Sequence, residues 1–577
     1  MVLDRPVGRP AFPRKPERRT LAPPRGTGPP PPPPIPPTPG VYLRGPPPLP
    51  PPGVILPRPI VVCLDLARMK QMDSSRSASL MKVSRRSVEL ARLPCGRIVL
   101  FSCLILGKLF FFVCEVQFLE DTGASPSEEE DRRRERVILE LHKIVMDWTK
   151  WVARDQGGEP WITSGTVLTF GSYDLGAYGS ESDIDAVCVG PCIASLQHHF
   201  FVILRKMLEA KPEVSDLHSI ESARVPLMRF KFNGVSVDFP YAQLPVINAA
   251  EAIRANDPCL LEKIDEASWR CLSGVRVNRQ IMQLVPNMKK FQVLLRCLKL
   301  WARKRGIHCH LVGFFAGIHL AVLGAYVCRR HPNATANTLL CRFFEIFSHW
   351  PWPRPVSLHD QTPLWSPDGC SLMPIVMPCY PPEFCASNVT KSTFNKIKEE
   401  LWRGLSLTKD TSSTDVNWNW IFAPFPYAAK YKHFLRIVLS APTTEELLDW
   451  VGWVKSRFRS LILKLESLNI GCDPDPSEQV DHTIGEPNAV FLWGLIMYSN
   501  TQICTTSLKM DFMRIVTNNI YGKEKCAHSD IELSVVVSMP QVPKSMSDHS
   551  AYLQKLPSLP PIMLGYPPMR RGCNAVG

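Results

Sequence analysis

Nineteen cysteines are spread along 577 residues without one Cys-x-x-Cys pair. That excludes a zinc knuckle or ribbon built on this spacing, and a chain this long has no need of disulfide staples. The thiols read as reduced and mostly buried. Cys188 and Cys192 stand close in sequence, and His308, Cys309 and His310 are consecutive, but neither group has a second ligand pair at zinc spacing. The Gly-Lys-Ser/Thr ending of a P-loop is also missing, so nucleotide chemistry of that kind is excluded. Nor is there a long apolar run. The most apolar stretch, residues 98–119, is interrupted by Lys108, which leaves each part short of the ~20 residues of a spanning helix. It also lies too far behind Met1, after a proline tract, to be an ordinary signal peptide. A buried or aberrant segment is expected there and no membrane partner, with a membrane anchor as the alternative. No internal repeat is visible.

The chain does have length enough for two to four domains and a hydrophobic content of 45% that makes most of it globular. Many of its 56 prolines crowd into residues 23–58, which reads as polyproline II or a disordered spacer. A formal charge of +14 points to a polyanionic partner.

Order is expected from near Phe118. Ser127 followed by Glu130 has capping-box spacing, and the helix it opens carries Val137, Ile138, Leu141, Ile144, Val145 and Trp148 on one face. Short strands follow at Val167–Phe170 and Asp183–Val189. Met228–Phe232 and Val235–Phe239 flank Asn233-Gly234, a two-residue hairpin signal. From Asn287 the pattern turns to long helices, the first with an apolar face of Phe291, Leu294, Leu295, Leu298 and Ala302 that ends at Gly306. The last globular part reads as strand Phe434–Leu439, one amphipathic helix Thr444–Leu468, strand Val490–Met497 and helix Leu508–Ile520, a β-α-β-β-α-like unit. The fold class is therefore α+β and multidomain.

The chemistry sits in "LTFGSYDLGAYGSESDIDAVCVG", residues 168–190. A strand alternates faces, so Asp183 and Asp185 project to one side, where two carboxylates repel unless a cation neutralises them. Asp238, near the end of the hairpin's second strand, supplies a third. Magnesium prefers such hard oxygen ligands and shares its shell with phosphates. Gly171-Ser172 follows a strand and offers backbone amides and a hydroxyl to a phosphate. Each element alone is common, an exposed Asp-x-Asp or a Gly-Ser loop. Their joint order marks a nucleotidyltransferase site that uses two metal ions.

These residues resemble the eukaryotic poly(A) polymerases of the plant type. "FGSYDLGAYGSESDIDAVCVGP" is similar to that family's signature turn and paired aspartates, and "MRFKFNGVSVDFPYAQL" to its third-aspartate hairpin. "FQVLLRCLKLWARKRGI" and "LVGFFAGIHLAVLGAYVCRRHPNA" are similar to two helices of its central domain. The likeness runs over roughly residues 118–530. It implies a nucleotidyltransferase palm domain (118–285), a helical central domain (286–424) and an RRM-like, ferredoxin-like RNA-binding domain (425–535), between a Pro-rich extension (1–117) and a tail (536–577). It implies that Asp183, Asp185 and Asp238 ligand Mg²⁺, or Mn²⁺ in its place, and are the catalytic residues. It further implies that ATP is contacted by Phe170, Gly171, Ser172, Gly179, Lys299, His308, Gly317 and Ile318. From the residues alone, Lys299 reads as part of a solvated helix face with Arg296 and Arg303.

The chain departs from the family pattern at Asp174, where Arg is usual, at His308 for Tyr, at His310 for Asn and at Ala316 for Gly, and Glu181 adds charge beside the aspartates. These changes put nucleotide choice in question more than phosphoryl transfer. Lys455, Arg457, Arg459 and Lys464, with Lys430, Lys432 and Arg436 nearby, are candidates for RNA phosphates, with an ordinary soluble helix face as the alternative. The expected function is template-independent addition of AMP to RNA 3′ ends. Its alternatives are transfer of another nucleotide such as UMP, or a catalytically silent RNA binder. Expected partners are an RNA 3′ end, ATP and 3′-end processing factors, with the chain a monomer. The expected location is the nucleus, with the cytoplasm as alternative; RKPERR at residues 14–19 is a weak basic signal.

Overall fold

The computed structural model describes residues 119–537 except 222, 256–262, 360–370, 380–382, 386–387, 410–417, 486 and 498–502. The proline tract, most of the apolar stretch and the tail lie outside the described residues. Among the described residues no helix is long and apolar enough to cross a membrane, and the described cysteines are free thiols.

The first body is a sheet with a long helix, α1 (Glu128–Asp155), laid against it. The capping box forms as expected: Ser127 Oγ accepts from the Glu130 amide at 3.3 Å and the Glu130 carboxylate accepts from the Ser127 amide at 2.8 Å. The helix buries Val137, Leu141, Ile144, Val145 and Trp148 in one cluster with the sheet. The strands are β1 (Thr166–Phe170), β2 (Ile184–Gly190), β3 (Val214–Ile220), β4 (Leu227–Phe232) and β5 (Val235–Gln243), in the order β1-β2-β5-β4-β3. Only β2 and β5 run parallel. β2 is nearly all buried, as a run of Ile, Ala, Val and Cys with both neighbours in place requires. It begins one residue later than its sequence suggests, so Asp183 stands just outside the ladder. The Asn233-Gly234 hairpin forms with both residues at positive φ.

The helical part comprises α2 (Ser273–Leu284), α3 (Met288–Lys304), α4 (Gly317–Arg330), α5 (Ala336–Ser348) and α6 (Lys391–Thr408). Asn287 caps α3 through Lys290 N. At the other end Gly306, at φ +66°, takes the left-handed conformation that closes the helix. Trp301 of α3 is buried edge-on between Phe343 and Phe344 of α5.

The last body is a four-stranded antiparallel sheet of β6 (His433–Ser440), β7 (Ile470–Pro474), β8 (Asn488–Met497) and β9 (Asp530–Val537), in the order β7-β8-β6-β9. The expected single helix 444–468 is two, α7 (Thr444–Lys455) and α8 (Phe458–Ser467). The cause is local. The Trp453 carbonyl that would accept the amide of Arg457 is taken by Ser456 Oγ (2.6 Å) and Arg457 Nη1 (3.0 Å), and the Arg457 amide turns to Val454 O instead. Phe458 then packs on Phe491 and Trp493 of β8. The remaining long helix, α9 (Thr505–Val516), both begins and ends earlier than the expected Leu508–Ile520, and a separate short helix occupies Ile520–Cys526. One continuous core joins this body to the helical part.

Candidate active site

Sheet register assembles the carboxylates. Asp185 of β2 is the direct neighbour of Asp238 on β5, and carboxylate oxygens of Asp183, Asp185 and Asp238 lie within 4.8 Å of one another. Burial and the charges of Asp183 and Asp238 push the Asp185 carboxyl up to about 7, against the opposing pull of Lys299 and Arg229. Three converging carboxylates that offer only hard oxygens fit a divalent cation. Without metal, the folded state holds a proton on Asp185 that the unfolded chain, with a carboxyl near ~3.9, has already released. Folding stability should therefore fall as pH rises from about 4 to about 7, by at most about 4 kcal/mol. Asp185→Asn should remove that slope in denaturant unfolding of the metal-free protein, and an unchanged slope would show that the carboxyl is not perturbed.

Arg229 is a site residue that the sequence reading missed. It grips Asp238 with both arms, Nε to Oδ1 at 2.6 Å and Nη2 to Oδ2 at 2.7 Å. The signal was available: a two-residue turn at 233–234 pairs 232 with 235 and, counting outward, 229 with 238.

Gly171 opens a four-residue helix directly after β1, at φ +63°. A Cβ there would come 2.1 Å from Asp185 Oδ2, so both its backbone conformation and the space require glycine. Gly171→Ala should lower any activity of the site by about 10²-fold, with far-UV circular dichroism unchanged; activity near wild type would contradict this packing. Ser172 follows in the same short helix. The Phe170 ring packs against the backbone of Gly274 on α2, where a Cβ would meet it at 2.4 Å. Gly179 abuts the Gly123 carbonyl, 2.6 Å from where its Cβ would stand.

Lys299 is not on a solvated face. It donates to Ala177 O at 3.1 Å and lines a cleft with Gly123, Ala177, Gly179, Arg296 and Arg303. Burial and neighbouring Arg303 lower its pKa to about 8 although Asp183 and Asp185 pull the other way. His308, next to Arg303 and Lys299, is pushed down to about 4 by burial and by these cations, so it is neutral, and its Nε2 is buried without a partner. Gly317 and Ile318 lie on another element, the first turn of α4, where Ile318 packs on the central core.

The departures sort by contact. Asp174 accepts from Asn278 Nδ2 on α2 at 2.9 Å and from Thr169 Oγ1 at 3.3 Å, so it ties the turn to α2. His310 meets Asn388 Nδ2 at 3.1 Å. Ala316 is the residue before α4 at φ −93°, a conformation that needs no glycine, and its amide donates to His319 Nδ1 at 3.0 Å. Of the base-side changes both His308, at Nε2, and His310, at Nδ1, keep a buried ring nitrogen without a hydrogen-bond partner, and of the two only His308 feels the charges of Arg303 and Lys299.

The basic stripe near the C-terminal sheet is largely compensated. Lys455 pairs with Glu478, Lys464 with Asp511, Lys430 with Glu399 and Arg436 with Asp481. Arg457 stacks on Trp453 and Arg459 donates to Asn388 O. Asp155, His198 and His199 are a second group with converging ligand atoms. There, however, His199 Nδ1 accepts from the Ser195 amide at 2.8 Å, which leaves its Nε2 proton directed at Asp155 rather than a lone pair for a metal. Among the described residues neither Cys188 with Cys192 nor the residues 308–310 form such a group.

A mixed sheet whose adjacent parallel strands bring three carboxylates together, faced by a lysine from a helical domain, defines a nucleotidyltransferase. Family models describe the matching parts: the poly(A) polymerase nucleotidyltransferase domain over residues 116–285, the central domain over 290–424 and the predicted RNA binding domain over 426–470. Nuclear poly(A) polymerase 3 of Arabidopsis thaliana is 45% identical over 434 residues, covering 74% of this chain and 84% of that relative. Nuclear poly(A) polymerase 1 of the same plant is 40% identical over 379 residues, 63% of this chain and 53% of that relative. The chain thus belongs to the poly(A) polymerase family, and spans about half the length of several other relatives. A solved cytoplasmic RNA terminal U-transferase is similar over 56% of this chain and 99% of its own, with 14% identity and a TM-score of 0.38, too remote to bear on substrate choice.

Proposed function

We propose that the chain is a polynucleotide adenylyltransferase that extends RNA 3′ ends from ATP without a template. The observation that carries this reading is the convergence of Asp183, Asp185 and Asp238 beside Lys299 in a member of this family. Those carboxylates would hold Mg²⁺, or Mn²⁺ in its place. A pair of such ions, when bound, would supply Lewis-acid activation of the attacking hydroxyl and charge stabilisation of the leaving group. The RNA 3′ hydroxyl gives up its proton to solvent as its oxygen forms a bond to the α-phosphorus of ATP, the bond from that phosphorus to the β-bridging oxygen breaks, and pyrophosphate leaves with the electron pair. Lys299 faces the phosphates from α3, and His308 offers its neutral ring beside it. Gly171 and Gly179 keep backbone close to the nucleotide, with Phe170 and Ser172 flanking the first of them. Gly317 and Ile318 close the cleft from α4. Arg229 holds Asp238 aligned until a cation shares it.

The bodies at 118–285, 286–424 and 425–535 are the palm, central and RNA-binding domains. The last is RRM-like, a reading supported by its β-α-β-β-α-β order. With much of its basic stripe already paired, it meets RNA through fewer free cations than the sequence suggests. The chain works in the nucleus, a reading supported by the names of its nuclear relatives, and acts there as a monomer with 3′-end processing factors. A second reading, transfer of another nucleotide, retains His308 as its support.

The test is extension of a labelled oligo(A) primer with each ribonucleoside triphosphate supplied alone. A ladder with ATP only is expected. A ladder with UTP would overturn adenylyl transfer, and none with any triphosphate would overturn the enzyme.

A further inference from the structure

Asp185 and Asp238 are placed by sheet hydrogen bonds, but Asp183 precedes β2 and has no partner in the ladder. Something else must fix it. We infer that Arg134 is a positioning residue for Asp183, an inference that rests on the polymerase reading of the carboxylate site. Arg134 projects from α1 and is only 3% exposed. Its Nη2 donates to Ser180 O at 2.6 Å, Ser182 O at 3.0 Å and Gly179 O at 3.4 Å, and its Nη1 to Glu130 O of its own helix at 3.5 Å. Each of these hydrogen bonds ends on a carbonyl. The nearby Glu130 carboxylate is occupied with the Ser127 amide. A guanidinium buried without a bidentate carboxylate is expensive to desolvate, and its donors converge on the segment that delivers Asp183.

The same segment is held from its other sides. Ser180 N donates to Gly123 O at 3.1 Å, Gly179 N to Ser182 Oγ at 3.0 Å, and Tyr178 OH to Asp131 Oδ1 at 2.8 Å, with the Arg134 guanidinium 5.4 Å from the Tyr178 ring. Arg134 thus does for residues 179–182 what strand pairing does for Asp185. A lysine keeps the charge, but its compact, strongly hydrated ammonium on a flexible stem does not hold its donors in the plane and place that the rigid guanidinium fixes.

The experiment compares the full chain with its Arg134→Lys and Asp183→Ala variants, reading Mn²⁺ binding by electron paramagnetic resonance without nucleotide or RNA, then kcat and primer KM. Arg134→Lys should weaken Mn²⁺ binding about tenfold, approaching Asp183→Ala, and lower kcat by about 10- to 100-fold with primer KM unchanged. Mn²⁺ affinity within twofold of wild type would overturn the inference, including where the thermal midpoint alone falls, since that would make Arg134 merely structural. If Arg134→Lys does not fold, Tyr178→Phe decides. It frees the same segment from Asp131 without touching the buried cation, and should shift Mn²⁺ affinity the same way by a few-fold; no shift overturns the inference. A wild-type chain that binds Mn²⁺ but makes no ladder would sink the polymerase reading while leaving the Mn²⁺ comparison intact.

Discussion

Replacing Asp183 and Asp185 together by alanine is expected to lower AMP incorporation by at least about 10³-fold, because the charge that holds the metal ions is then reduced to Asp238 alone. The loss should lie in kcat rather than in RNA affinity, since neither residue belongs to the C-terminal sheet or its basic side chains. The same variant should be more stable than wild type without metal, because burial and then the repulsion of Asp183 and Asp238 push the Asp185 carboxyl up to about 7, and the substitution relieves both. Catalysis lost with metal-free stability gained would separate a functional cluster from a structural one. Residual activity within tenfold of wild type would contradict the assignment of the site.

The second large effect concerns the join between the helical part and the C-terminal sheet. Lys396 of α6 is buried and donates to both oxygens of Asp473 on β7, at 2.7 and 2.6 Å, and to Tyr427 OH at 2.9 Å. The Phe425 ring lies 3.5 Å from its Nζ, and Tyr431 OH donates to Asp473 as well. Burial lowers the lysine to about 8 and raises the carboxyl, while each charge opposes that drift in the other. Lys396→Met leaves Asp473 with Tyr431 but without its counter-charge. A loss of about 3–5 kcal/mol is expected in denaturant unfolding, and Lys396→Met/Asp473→Leu should recover much of it because the unpaired charge is gone. A loss under about 1 kcal/mol in the single variant would mean that water already reaches the pair.

These two sites differ in how far the sequence announced them. The aspartates, the glycine turn, the hairpin and the apolar face of α3 depend on spacings of a few residues, so alternation and helical period expose them. Arg229 was within reach by counting across the hairpin. Lys396 and Asp473 are far apart in sequence and share no period, so only the packed structure brings them together. Arg134 is harder still, since its partners are main-chain carbonyls, which every residue has. The pairing of the basic stripe was out of reach for a related reason: Glu478, Asp511, Asp481 and Glu399 come from other elements, and a helix read alone cannot show what faces it. The broken helix at Ser456 and Arg457 turned on competition for one carbonyl, which an unbroken apolar stripe conceals. His308 is the converse case, a departure conspicuous in sequence whose unpartnered nitrogen only the structure reveals.

The most direct measurement is pyrophosphate release from ATP in the presence of an RNA primer ending in a 3′ hydroxyl or in a 3′-deoxy residue. One pyrophosphate per AMP added to the hydroxyl primer, and none with the deoxy primer, is the predicted result. Release that ignores the chemistry of the 3′ end, or no release with either primer, would contradict adenylyl transfer at this site.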